Sequence, residues 1–164
     1  MKYFTIAWAT GDLPEEEMVA VRDAYWRNLA LLAPRLPPNV HKLATEVNLH
    51  DALIVQFLVS RGCSELRTRY VCGDLQTGYL DLVLVYSGVL MAKLNTVLLK
   101  EIADDPSSEA LYDEIDTGET GIFAHSVLFR PYREIKIIFE DVAIHSRALA
   151  NRGRPKVEKA FIQS

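Results

Sequence analysis

The sequence predicts an α+β domain, with an N-terminal amphipathic helix packed on an antiparallel meander sheet of about five or six strands. Three observations carry this. Apolar residues recur at helical spacing between residues 14 and 33. They alternate with polar ones at period two from residue 51 onward. Short turn signals separate the alternating runs. With 164 residues, 49% hydrophobic and 24% charged, the chain can bury one core without disulfides and is not disordered.

The elements follow in order. Residues 3–9 are β-branched and aromatic and read as a short strand or an extended leader. In the segment TGDLPEEE, Thr10 or Asp12 can cap a helix, Pro14 suits its first turn, and Glu15, Glu16 and Glu17 sit where the helix dipole favours anions. Met18, Val21, Tyr25, Leu29 and Leu32 then mark one buried face, until Pro34, Pro37 and Pro38 stop the helix. A short second helix over 40–47 is possible. Strands follow over 51–60, 65–72 and 79–91, joined by the turns RGCS and GDLQTG. Residues 94–105 fit either a helix or a further strand. Three more strands are expected over 110–116, 122–130 and 133–144. Beyond residue 148 no apolar period survives, so 149–164 read as a basic, flexible tail, with Phe161 and Ile162 able to dock.

Charge divides the chain the same way. Residues 1–146 carry 13 basic and 21 acidic side chains, a net −8; residues 147–164 carry 5 and 1, a net +4. The body repels nucleic acid, and only the tail (Arg147, Arg152, Arg154, Lys156 and Lys159) could attract it or dock on a neighbouring acidic subunit. No run of about 20 apolar residues suggests a membrane span. No export signal is recognisable, and two cysteines make no disulfide framework, so a cytoplasmic protein with reduced thiols is expected. Phosphate-binding glycine loops, a nucleophile elbow, HExxH and CxxC are all missing from the sequence, and no motif calls for a cofactor.

The remaining candidates are constellations of single residues. His50-Asp51 could be metal ligands or a base with its orienting carboxylate, completed by His125, Asp141 and His145 from the last strands. Equally, Asp51 could accept backbone N–H groups at the strand entry. Asp81, inside an apolar strand, either marks a site in the core or faces solvent opposite Arg67 or Arg69. Asp113, Glu114, Asp116 and Glu119 read as a solvated acidic rim able to meet a basic protein. Tyr25 matches the buried helix face; Trp26, one step off it, is the candidate for a partner contact. Cys63 and Cys72 flank a strand and are too far apart to pair.

The run of motifs resembles a group of uncharacterised bacterial proteins. The matching residues are Met1 to Thr5, Leu49-His50-Asp51-Ala52, Tyr112-Asp113-Glu114-Ile115, and the strand from Glu134 to Val142. This resemblance implies a fold but no activity. The compact α+β pattern and acidic body are also similar to bacterial immunity proteins, which bind and neutralise toxin domains. Three functions follow as expectations. The first is a non-enzymatic, immunity-type binding module. The second is a small metal-dependent or acid/base enzyme using the His50/Asp51 region. The third is a homo-oligomer subunit using a sheet edge or the Trp26 face.

Overall fold

The computed structural model describes residues 1–118, 121–150 and 158–164. Its helices are Ile6–Thr10 (α1), Glu15–Leu32 (α2), Pro38–Thr45 (α3) and Thr96–Asp104 (α4). Its strands are Ala52–Ser60 (β1), Glu65–Asp74 (β2), Gly78–Ser87 (β3), Glu109–Thr117 (β4), Phe123–Phe129 (β5), Arg133–Phe139 (β6), Asp141–Ala148 (β7) and Ala160–Gln163 (β8). The fold is α+β, and among the described residues the mostly antiparallel sheet has eight strands rather than five or six. Both extra strands have a physical origin. The run over 133–144 is broken in two at Glu140, and the chain's last residues return to the sheet.

Strand order is β6-β5-β4-β1-β2-β3-β7. β6 and β7 lie at opposite ends of that order, yet only Glu140 separates them in the chain. The sheet must therefore curl until its ends meet. At the meeting point the Glu140 N–H donates to the Ser87 carbonyl at 3.0 Å, and the Leu90 N–H donates to the Ile138 carbonyl at 2.9 Å. Gly88 is needed there. Its φ is +61°, and a Cβ would fall 2.6 Å from the Glu140 side chain.

The inner face of the curled sheet is the core. Phe57, Tyr70, Tyr86, Phe129 and Phe139 are fully buried in it. Two helices seal it: α3 contributes Val40 and Leu43, and α4 contributes Leu99 and Ile102. The long helix α2 does not belong to this core, which corrects the expected packing. It buries only Tyr25 and Leu29, in a separate cluster around Phe4 that meets the sheet through Tyr112. Its stripe is too narrow for more, and Trp26 and Leu31 remain exposed.

The ends of the chain hold further differences. Residues 6–10 form a helical turn rather than a strand, because the Thr5 hydroxyl accepts the Trp8 N–H at 3.3 Å and caps it. At the other end β8 pairs in parallel with Gln56 to Val59 of β1, whose first two residues pair with β4. Phe161 packs on the main core. Lys159 donates to the carbonyls of Asp105 (2.7 Å) and Ser108 (2.9 Å), so the end of the expected tail is built into the fold. Arg152, Arg154 and Lys156 lie outside the described residues. Among the described residues no helix is long and apolar enough to cross a membrane.

A candidate binding groove lined by Asp113

The site begins with an irregularity in β4. Its pairing with β5 slips between Ala110 and Tyr112, leaving Leu111 as an extra residue. Ala110, opposite Phe129, faces the core. Strict alternation from there would send Asp113 outward. The bulge resets the phase, so Asp113, opposite Val127, shares the inner face with His125.

Asp113 ends a buried chain of polar groups. His125 is fully buried, and its Nε2 lies 3.1 Å from Asp113 Oδ2. Its Nδ1 lies 2.7 Å from the hydroxyl of Tyr86, which reaches it from β3 across the interior. An ionised carboxylate can only accept, so Nε2 carries a hydrogen and donates it to Asp113. In the neutral imidazole Nδ1 then accepts from the Tyr86 O–H. Burial raises the Tyr86 phenol well above its ordinary pKa, which keeps that hydrogen in place. Thr68 and Tyr70 share this inner face, and both hydroxyls are buried there. Polar groups at such depth are unusual in a core.

Asp113 is one-fifth exposed, and it is among the residues that line a surface groove of about 430 Å³. Phe4, Trp8, Tyr25, Trp26 and Tyr112 line the groove together with His50. The rings hold one another edge to face. Trp8 and Tyr112 meet at 4.8 Å and 88°, and Phe4 and Tyr25 at 4.9 Å and 66°. The Trp8 indole N–H donates to the Met18 carbonyl at 3.0 Å, tying α1 to α2. Trp26 packs on Tyr25 at 5.3 Å but stays 55% exposed at the rim. Burial, and next the nearby Asp113 carboxylate, push the Tyr25 phenol up.

A second cavity of about 560 Å³ lies on the other side of the segment 46–50, at the open end of the curled sheet. Cys72, Leu80, Leu82 and Ile144 make its apolar part, and Lys42 and Asp51 lie on its polar side. His50 lines both cavities.

The residues expected to form one catalytic cluster are dispersed. His50 and Asp51 do meet, at 3.0 Å, with both side chains about half exposed. His125 lies in the core instead. Asp141 sits exposed at the sheet corner and accepts the Val142 N–H at 2.8 Å. His145 is exposed on β7. Among the described residues no three His, Cys, Asp or Glu side chains are placed to hold a metal ion.

The acidic rim divides as well. Asp113 points inward. Glu114 is buried on the outer face, where it accepts the backbone N–H groups of Lys2 (2.8 Å), Tyr3 (2.7 Å) and Phe4 (2.5 Å) and so pins the N-terminal segment. Asp116 accepts the Thr117 N–H at 2.9 Å, and Glu119 lies outside the described residues. Asp81 takes its solvent-side reading. Arg69 grips both its oxygens, at 2.7 and 3.1 Å, and Arg147 adds a contact at 3.4 Å. Both cysteines are free, Cys63 exposed and Cys72 buried. Burial raises the Cys72 thiol from 9.0 to about 12.

Sequence reasoning reached Trp26 and named Asp113, but it missed what joins them. His125 was a candidate ligand and Tyr112 stood in a quoted motif, but nothing local joined His125 to Tyr86 and Asp113 or Tyr112 to the groove, because they meet through a bulge and across the interior. No protein-family model, curated protein or solved structure matches the chain.

Proposed function

We propose that this chain is a non-enzymatic protein-binding module of the immunity type, and that the groove beneath Trp26 is its contact surface. One observation supports the reading above the others: a tryptophan 55% exposed at the rim of a groove walled by other aromatic rings. Tryptophan and tyrosine in such settings are the side chains that dominate protein–protein binding energy. The net −8 over residues 1–146 favours a basic partner and a salt-sensitive encounter.

Paired affinity captures test it. The wild-type chain and Trp26→Ala serve as baits, in lysate of the source cell and against the product of any adjacent toxin gene. A basic protein held by the wild type, released by added salt and lost from Trp26→Ala is the expected result. Identical captures by the two baits, or no capture by either, overturn the reading.

A further inference from the structure

We infer that the groove is built to receive the ammonium group of a lysine side chain, with Asp113 as its counter-ion and the rings as its walls. The inference takes its location from the proposed binding role but stands on separate observations. Aromatic faces attract a cation through their quadrupoles, and the attraction grows as water is excluded. A carboxylate lining an aromatic groove adds the opposite charge where the cation would be least hydrated. Asp113 provides that carboxylate, one-fifth exposed and lining the same groove as Tyr25, Trp26 and Tyr112.

The way Asp113 is held selects the kind of cation. His125 occupies Oδ2, while among the described residues Oδ1 accepts no hydrogen bond. One free oxygen suits a point charge such as an ammonium. A guanidinium fork would also have to share Oδ2 with His125, so two parallel bonds are less well accommodated than a single one. Arg22 also lines the groove and would repel a cation, but its guanidinium is bonded to Asp23 at 3.1 and 3.2 Å. Glu46, a second carboxylate of the lining, offsets it.

Tyr86 and His125 are positioning residues in this scheme. They never reach the groove. The Tyr86 O–H orients the imidazole, and the imidazole Nε2–H fixes the carboxylate, as an outer partner orients a ligand in a metal site. The fully buried ring of His125 leaves Asp113 little freedom to turn its bound oxygen outward.

The experiment is a titration of the full chain with a lysine-containing tripeptide blocked at both ends, read from the two indole N–H signals by NMR. Three control peptides carry acetyl-lysine, arginine and norleucine. Saturable shifts of the Trp8 and Trp26 signals with lysine are expected, with affinity weaker by about tenfold for acetyl-lysine and norleucine and weaker for arginine as well. Asp113→Asn should erase the preference for lysine over acetyl-lysine. Tyr86→Phe, which keeps the core volume, should reduce that preference while leaving norleucine binding unchanged, an outcome that mere loss of stability would not give. Equal binding of lysine and acetyl-lysine by the wild type overturns the inference. If Asp113→Asn fails to fold, an unaltered preference in Tyr86→Phe overturns it. A protein partner that depends on Trp26 but is indifferent to Asp113→Asn would break this inference and leave the proposed function standing. Lysine selectivity with no Trp26-dependent partner would do the reverse.

Discussion

Among the described residues two histidine–carboxylate pairs have almost equal geometry. His50 and Asp51 are 3.0 Å apart, and His125 and Asp113 are 3.1 Å apart. The first pair is adjacent in sequence, and its side chains are 49% and 58% exposed. The second joins two strands, and its side chains are 0% and 20% exposed. Water competes for every hydrogen bond of the first pair and screens its charge. In the second pair the imidazole bonds Tyr86 and Asp113 alone among the described residues, and losing either partner strands a polar group in the core. Proximity alone therefore says little about what a pair does, and burial decides it.

Replacement of His125 by alanine should do the most damage, because it opens a cavity and strands both Tyr86 and Asp113. A loss of about 3 kcal/mol is expected in urea unfolding. A loss near that of a surface substitution would erase the distinction between the pairs. Tyr86→Phe removes one hydroxyl and preserves volume, so about 1 kcal/mol should be lost in the same assay.

The two cysteines extend the comparison to alkaline pH. Cys72 is buried, and its thiol is raised from 9.0 to about 12, while unfolding returns it to its ordinary value. Between those values the unfolded chain has released a proton that the native chain still holds. Stability therefore falls as pH rises above 9.0, and below 9.0 the thiol contributes no slope. Cys72→Ala should remove about 1 kcal/mol of that loss one pH unit above the ordinary thiol value. Urea unfolding at two pH values measures it, and an unchanged slope in the variant would refute the burial argument. A thiol reagent applied to the native chain should modify Cys63 and spare Cys72.

His50→Ala should have the smallest effect, within about 0.5 kcal/mol, as expected for an exposed pair. A larger loss would show that the segment 46–50, which separates the two cavities, depends on this contact.

The parts of the fold that were legible in the sequence are those set by local periodicity. The face of Tyr25 and Leu29 and the alternation from Leu53 to Leu84 give α2 and the β1–β3 meander directly. The break at Glu140 was not legible, because Ile135, Ile137, Phe139 and Val142 read as one apolar run. Only the closure of the sheet, with Gly88 making room for Glu140, requires two strands there. Trp26 stood out because it lies one step off the helix stripe. Asp113 was visible as an acid but not as a buried one, since a single bulged residue, Leu111, changes the face it occupies. The meeting of Tyr86 with His125 depends on curvature across strands that are not neighbours, and no spacing in the chain encodes it.

A buried imidazole, oriented by Tyr86, holds Asp113 at the groove. Nitrogen-15 NMR of the His125 ring tests it most directly. A hydrogen on Nε2 that exchanges slowly with water is expected, retained in Trp26→Ala and lost or labile in Asp113→Asn. An unprotonated Nε2, or a ring hydrogen that exchanges as freely as that of His50, would contradict it.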